Sequence, residues 1–153
     1  MSAESSGIAF LLSQLGAHAA MQFGARVEEL GLTPPLVGVL RMISARPGLS
    51  QQQLARELGL LPSKVVTFVD DLERRGLVTR TRGTRDRRVQ HLTLTPEGTE
   101  LLEEVRAVIA QHEAAFCQAL APDERAQLKA FLERLASSHQ LTPGVHPGYR
   151  ALR

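Results

Sequence analysis

Apolar residues recur every three or four positions in six stretches of the sequence, and this spacing predicts six helices. The first helix begins at Ile8, runs for about six turns and ends at Gly31. Its apolar side is longer than one small domain can cover, so we expect a second surface to pack against it. The five later helices are predicted at residues 34–45, 50–58, 62–75, 96–120 and 122–135.

Local signals mark where several of these helices begin. Thr33 and Pro34 supply a capping hydroxyl and a first-turn proline for the second helix. Ser50 and Gln53 have the spacing of a capping box, in which each side chain bonds the other residue's backbone N–H. Pro62 opens the fourth helix, where its missing N–H has no intrahelical partner. The third and fourth helices are therefore short and adjacent, which is typical of a helix-turn-helix.

The spacing of apolar residues changes from helical to extended after Gly76. Residues 77–81 and 89–94 are rich in Val, Thr and Leu, which favour strands. The segment between them, residues 82–88, contains Gly83 and little that can pack. We therefore predict a β-hairpin with a solvent-exposed loop.

Positive charge is concentrated around this hairpin. Residues 72–91 contain seven arginines and two acidic residues, a net charge of +5, whereas the whole chain carries +2. Residues 97–134 contain eight acidic and four basic side chains, so we expect that region to face away from a polyanion. A helix-turn-helix followed by a basic hairpin is the plan of a winged helix that binds nucleic acid.

The segment from Asp86 to Gly98, DRRVQHLTLTPEG, resembles the D-x-R…L-T-x-x-G signature of MarR-type transcriptional regulators. Residues 72–78, LERRGLV, are similar to that family's junction between recognition helix and wing, and the resemblance extends over roughly residues 8–138. It implies a mainly α fold with a small β-hairpin wing. A winged helix-turn-helix lobe would span residues 33–95, and long terminal helices at residues 8–31 and 97–138 would form a dimerisation body.

A homodimer of this kind would hold two DNA-binding lobes at a defined spacing. Two lobes would meet two half-sites of a pseudo-palindromic operator in double-stranded DNA, about 34–36 Å apart. The fourth predicted helix would enter the major groove, where hydroxyl and ammonium groups bond either base edges or phosphates, and the sequence leaves that choice open. The N–H groups and side chains at the start of the third helix favour binding of a phosphate. Helix capping alone is the alternative role for Ser50. The residues predicted to contact DNA here are Ser50, Gln51, Gln52, Ser63, Lys64 and Thr67.

For the wing, the resemblance implies that Asp86 pairs with Arg88 and that an arginine at the tip enters the minor groove. Arg88 occupies the motif position, and two further arginines lie close to the tip. The alternative for Arg74 is a favourable interaction with the C-terminal end of the recognition helix. The arginines predicted to contact DNA are Arg74, Arg80, Arg82, Arg85, Arg87 and Arg88.

The resemblance also implies a ligand cleft between the dimerisation body and the DNA-binding lobe. In the family this cleft takes small, often aromatic or phenolic, anionic ligands that shift the lobes out of their DNA-binding spacing. The alternative is that the histidines of this cleft form hydrogen bonds within the fold and bind no ligand. The residues predicted to line the cleft are His18, Phe23, Arg26, Arg41, Met42 and His112.

Composition narrows the remaining function classes. Apolar residues make up 43% of the 153 positions and charged residues 22%, as in an ordinary globular domain. The sequence has no stretch with the length of a membrane span and no signal peptide, so we expect a cytoplasmic protein. G-x-S-x-G, H-E-x-x-H and C-x-x-C are absent. We therefore predict no enzyme activity, no cofactor and no metal site.

Two alternatives remain at this point. Cys117 is the only cysteine and suggests a thiol-responsive regulator, but it lies in an apolar stretch without a basic neighbour, which favours a role as buried filler. The winged helix is also compatible with a protein-interaction module, although clustered arginines suit phosphate better than an apolar partner. Residues 1–7 and 140–153 have no hydrophobic period, so we expect a loose start and a mobile tail.

Overall fold

The computed structural model describes residues 7–152, and the predicted loose residues 1–6 lie outside this range. Within it the chain is mainly helical with a small antiparallel sheet, as the sequence predicts. None of these helices is both long enough and apolar enough to cross a bilayer. The elements are α1 (Ile8–Glu28), α2 (Pro34–Ala45), β1 (Leu49–Ser50), α3 (Gln51–Leu58), α4 (Pro62–Arg74), β2 (Val78–Arg82), β3 (Gln90–Leu94), α5 (Pro96–Phe116), α6 (Pro122–Ser138) and a 3₁₀ helix (Pro147–Leu152).

The helix boundaries follow the predicted signals with three corrections, the first being that α5 ends at Phe116 and not at residue 120. The first helix ends at Glu28, and a turn then leads to Gly31, whose φ of +68° is left-handed. Thr33 occupies the cap position of α2, but its side chain accepts no hydrogen bond. Its carbonyl instead accepts the N–H of Val37 at 3.1 Å. The first turn of α2 is therefore set by proline and by the backbone.

The sheet has the strand order β1-β3-β2, and both pairings are antiparallel. Leu49 pairs with Leu92, and Val78 pairs with Leu94. Strand β1 is not predicted from the sequence, because two residues are too few to show an alternating pattern. Its effect is to join the start of the helix-turn-helix to the hairpin. The Nδ1 of His91 reinforces this junction, at 2.8 Å from the carbonyl oxygen of Gly48.

The hydrophobic core lies inside the winged-helix lobe. Helices α2, α3 and α4, strands β2 and β3 and the N-terminal half of α5 all contribute fully buried side chains. In contrast, Val27 is the one buried residue of α1, and α6 has none among its described side chains. Burial in the single chain is therefore confined to the lobe and its junction with α1 and α5.

The apolar sides of α1 and α6 are exposed to solvent in the single chain. Phe10 is 59% exposed and Leu15 50%, while Phe131 is 47% and Leu132 38% exposed. Exposed apolar side chains at helical spacing are of the kind that marks a protein contact. We call these two helical faces the terminal-helix surface.

The junction between wing and α5 is unusually close. Thr95 caps α5 by accepting the N–H of Gly98 at 2.9 Å, and its hydroxyl donates to the carbonyl of Gly76 at 2.7 Å. A Cβ on Gly98 would lie 2.0 Å from the carbonyl oxygen of Leu77, so this helix position accepts no side chain. The T-x-x-G part of the motif therefore fixes the direction of α5 relative to the hairpin.

The tail differs from its prediction. Residues after Gln140 were expected to lack structure, yet Pro147–Leu152 form a 3₁₀ helix and the hydroxyl of Tyr149 donates to the carbonyl of Pro34 at 3.3 Å. Val145 packs against the core. These contacts depend on a surface more than a hundred residues away in sequence, which a search for local periodicity does not detect.

Candidate nucleic-acid interface

The helix-turn-helix is held by the predicted capping box. The hydroxyl of Ser50 accepts the N–H of Gln53 at 3.1 Å, and the side-chain oxygen of Gln53 accepts the N–H of Ser50 at 2.9 Å. Gly59 ends α3 with a left-handed φ of +66°, as its position predicts. Gln52 is exposed at the start of α3, whereas Gln51 is half-buried. The capping box is confirmed, and it uses the side chain of Ser50 inside the lobe.

Helix α4 presents a polar outer side near its N-terminal end. Val65, Val69 and Leu72 are buried against the core, while Ser63, Lys64 and Thr67 are exposed. The residues predicted for the recognition helix therefore lie together on its solvent side. The hydroxyl of Thr67 donates to the carbonyl of Ser63 at 3.0 Å. Its oxygen and methyl group remain available to an outside partner.

Val66 is an exposed member of this helix that the sequence analysis misses. It is 41% exposed, although it stands between the buried Val65 and the half-buried Phe68. The signal was the spacing, because Val65 shares the i, i+4, i+7 stripe of Val69 and Leu72, whereas Val66 falls outside it. Its methyl groups suit a thymine methyl in the major groove.

The tip of the wing is closed by backbone contacts. The carbonyl of Asp86 accepts the N–H of Val89 at 3.1 Å, and the carbonyl of Val89 accepts the N–H of Gly83 at 2.9 Å. Gly83 has no room for a side chain, since a Cβ would lie 2.6 Å from the carbonyl oxygen of Asp86. The carboxylate of Asp86 accepts the backbone N–H of Arg88 at 2.9 Å. The predicted Asp86–Arg88 pairing thus exists, but it uses the backbone and leaves the guanidinium group free to point outwards.

Four wing arginines are exposed and have no acidic partner within 4.0 Å among residues 7–152. They lie at the end of β2 and in the loop that follows it. Together they form a local cationic surface whose charges are not neutralised within the described chain. These residues, which we call the wing-tip arginines, are Arg82, Arg85, Arg87 and Arg88.

Arg80 departs from the predicted set. Its guanidinium group pairs with Asp70 and lies 3.4 Å from a carboxylate oxygen of Glu73, both on α4, and its side chain is only 20% exposed. Arg74 pairs with Asp71 on its own helix and stays 76% exposed, so both of its predicted roles stay predictions. Arg80 therefore joins β2 to the recognition helix, and we remove it from the predicted DNA contacts.

Four of the six residues predicted for a ligand cleft line one of two cavities. Phe23 and His112 line a mainly apolar cavity of about 370 Å³ between α1, α2 and α5. Arg41 and Met42 line a second cavity of about 550 Å³, which also contains Arg106. Tyr149 of the tail lines both cavities, a residue that the sequence analysis does not include.

His18 and Arg26 line neither of these two cavities, so their place in a ligand cleft stays a prediction. The exposed ring of His18 lies 6.5 Å from that of Phe116, further along α5. His112 stacks between Phe23 and Phe116, with ring centroids 5.8 and 5.9 Å away. Its Nδ1 is buried and has no hydrogen-bond partner among the described residues.

Comparison with known proteins identifies the same architecture. The MarR family profile matches residues 32–89. The HTH-type transcriptional repressor Rv2887 of Mycobacterium tuberculosis is 33% identical over 135 residues, which cover 88% of this chain and 97% of that repressor.

Two crystal structures of the M. tuberculosis protein also superpose on this chain. Its complex with DNA has a TM-score of 0.76 at 31% identity and covers 86% of this chain and 98% of that chain. Its complex with salicylic acid has a TM-score of 0.69 at 32% identity and covers 87% and 98%. The chain thus belongs to the MarR family of DNA-binding transcriptional regulators, which are not enzymes.

Proposed function

We propose that this protein is a homodimeric repressor that binds a pseudo-palindromic operator in double-stranded DNA and releases it when a small aromatic anion binds. The observation that supports the DNA-binding mode most directly is the ion pairing of Arg80 with α4. This contact holds the wing against the recognition helix. The exposed end of α4 and the wing-tip arginines therefore belong to one rigid lobe, which can contact adjacent grooves of the same duplex.

Within this lobe we assign two kinds of contact. Lys64 and the wing-tip arginines provide most of the affinity through phosphates, and one arginine of the tip enters the minor groove. Ser63, Thr67 and Val66 face the base edges of the major groove. The backbone contact between Asp86 and Arg88 supports this assignment, because it leaves the arginine side chain free to extend.

The terminal-helix surface supports the homodimer. Burying Phe10, Leu15, Phe131, Leu132 and their apolar neighbours against a second copy would remove them from water, which favours association at about 25 cal/mol per Å² of apolar area. The surface lies on the first and last long helices, outside the winged-helix lobe. Two lobes are therefore free to meet two half-sites of one operator.

A small aromatic anion suits the two cavities. The apolar walls formed by Phe23 and His112 accept a ring, while Arg41 and Arg106 in the neighbouring cavity offer positive charge to a carboxylate or phenolate. The M. tuberculosis relative was crystallised with salicylic acid, which has these two features. A ligand bound between the lobe and the long helices would bind the splayed dimer more tightly than the DNA-competent dimer. Operator affinity would fall in proportion to this difference in ligand affinity.

The first experiment is a titration of the purified protein against the duplex upstream of its own gene and against a scrambled duplex, at two salt concentrations. We expect two subunits per site and affinity for the upstream duplex at least tens-fold above the scrambled control. Equal and steeply salt-dependent binding to both duplexes would remove the proposed operator while keeping a DNA-binding wing. Absence of binding to either duplex would contradict the repressor and favour the protein-interaction module.

A further inference from the structure

The tail crosses from the terminal helices to the DNA-binding lobe. It leaves α6 at Ser138, turns at Gln140, whose φ is +55°, and runs along α3 before reaching α2. Val145 is half-buried against the core on this path. The chain after α6 therefore bridges the two parts of the molecule whose relative position determines how the lobes meet DNA.

The path ends with the ring of Tyr149 inserted at α2. A Cβ on Gly38 would lie 2.3 Å from the phenolic oxygen, so the ring occupies the space that any side chain at position 38 would need. Glycine in the middle of a helix costs about 0.5–1 kcal/mol relative to alanine. Its presence in α2 is accounted for by the ring that it accommodates.

The position of this ring matches the ligand chemistry proposed for the cleft. Tyr149 lines both the apolar cavity of Phe23 and His112 and the cationic cavity of Arg41. Burial raises the pKa of its phenol, and the charge of Arg41 partly opposes that rise. The side chain is thus a phenol held between an aromatic wall and an arginine, the environment that an aromatic acid would also seek.

We propose that Tyr149 is a tethered occupant of the effector cleft, and that an aromatic acid binds by displacing the Tyr149 ring from Gly38. This inference rests on the effector cleft of the proposed function and adds its regulation. The ligand binds only molecules whose ring is undocked, so its apparent affinity is the intrinsic affinity multiplied by the undocked fraction. Displacement also releases the bridge between α6 and α2, which couples ligand binding to the position of the lobe.

The experiment compares salicylate binding by calorimetry to the wild-type protein and to three full-length variants. Tyr149→Ala removes the occupant, and Gly38→Ala expels the ring while keeping the tail intact. Thr142→Ala is the matched control, because this exposed tail residue lines the groove beside α3 and neither effector cavity. If nine of ten tails are docked, the Tyr149→Ala protein should bind salicylate about tenfold more tightly than wild type, and Thr142→Ala should equal wild type.

A second readout follows the ring itself. The sequence has one tyrosine, so protein labelled with fluorotyrosine gives a single fluorine resonance that reports on Tyr149. We expect this resonance to move, as salicylate is added, to its position in the Gly38→Ala protein. Equal or weaker salicylate binding by Tyr149→Ala, no salicylate binding by any of these proteins, or a resonance unmoved at saturation would each overturn the inference.

Operator titrations of the same proteins without salicylate separate this inference from the proposed function. If all variants bind the operator but their salicylate affinities are equal, the displacement mechanism fails and the repressor remains. If the wild-type protein binds no operator, the repressor fails, whereas the calorimetry and the fluorine resonance still decide whether Tyr149 is displaced.

Discussion

The guanidinium group of Arg80 on β2 pairs with the carboxylate of Asp70 on α4 and thereby joins the wing to the recognition helix. Arg80 and Arg82 lie two residues apart on the same strand, yet Arg80 is enclosed by acidic side chains and Arg82 is exposed. They therefore form a matched pair that separates a structural arginine from an arginine proposed to contact DNA.

Replacement of each arginine by alanine should affect a different property. Arg80→Ala removes a part-buried ion pair and the packing of a long side chain, so the free energy of unfolding in urea should fall by about 1 kcal/mol. Arg82→Ala should leave stability unchanged and reduce the slope of log affinity against log salt by about 1 in operator titrations. Similar effects of both changes on the salt slope would contradict the structural role of Arg80.

The carboxylate of Asp86 should act on DNA binding through the shape of the wing tip. Asp86→Ala removes the acceptor for the N–H of Arg88, so the loop becomes more variable and operator affinity falls, despite the loss of a negative charge near DNA. Asp86→Asn keeps a side-chain oxygen acceptor and should retain most of the affinity. Arg88→Ala should weaken binding and its salt dependence while leaving the dimer intact. Tighter binding by Asp86→Ala than by wild type would show that charge matters more than loop geometry.

Gly98 is expected to be intolerant of alanine because of the adjacent Leu77 carbonyl. A Cβ at 2.0 Å from that oxygen forces α5 away from the hairpin, at a cost of about 3 kcal/mol in urea unfolding. Gly24 in α1 is the control, since its nearest neighbour would be Pro34 Cγ at an ordinary 3.9 Å. Gly24→Ala should be neutral or stabilise the protein by about 0.5–1 kcal/mol. Equal stability of the two variants would refute the close junction.

The proposed dimer should depend on the terminal-helix surface. Leu132→Glu places a charge among the exposed apolar side chains of α6, and we expect monomers by sedimentation at concentrations where wild type is dimeric. Operator affinity should fall with it, because one lobe meets one half-site. Ala130→Glu, on the other side of α6, should remain dimeric. A Leu132→Glu protein that stays dimeric would locate the interface elsewhere.

The thiol of Cys117 should react slowly with alkylating agents. Cys117 is only half-buried, so the expectation of a buried filler is wrong, and its sulfur lies 3.8 Å from a carboxylate oxygen of Glu113. Partial desolvation and then that negative charge raise the pKa of the thiol, while Arg125 has a smaller opposing effect. Since the thiolate forms only as pH rises towards this raised pKa, alkylation by iodoacetamide at neutral pH should be slower than that of glutathione.

The same property bears on the thiol-responsive alternative. Operator binding should be unaffected by hydrogen peroxide, and a Cys117→Ser protein should behave like wild type in that titration. Alkylation faster than that of glutathione, or a response to peroxide that Cys117→Ser abolishes, would restore the thiol-responsive regulator.

Much of the fold was predictable because its determinants are local. The capping box of Ser50 and Gln53, the proline at Pro62 and the change of spacing after Gly76 each act within a few residues, and the structure contains each feature. The two-residue strand β1 was not predictable, because its pairing partner Leu92 lies 43 residues away from Leu49. Short elements that form only through tertiary pairing leave no period in the sequence.

The residue types of the candidate site were predictable from the sequence, whereas the role of each residue was less predictable. Charge clustering predicted the basic wing, but the sequence alone does not indicate that Arg80 faces Asp70 whereas Arg82 faces solvent. The cleft shows the same limit: His18 and His112 both lie on long helices, yet His112 lines a cavity and His18 is exposed. Tyr149 was missed because its contact with α2 depends on a glycine 111 residues earlier.

The close junction at Gly98 also makes α5 a lever attached to the wing. A helix of 21 residues is about 30 Å long, so a tilt of about 10° at one end displaces the other by about 5 Å. That displacement exceeds the rise between neighbouring base pairs, which is about 3.4 Å. In the proposed DNA complex, small rotations among the long helices would therefore be magnified into a loss of register between the wing and its groove, without any deformation of the lobe itself.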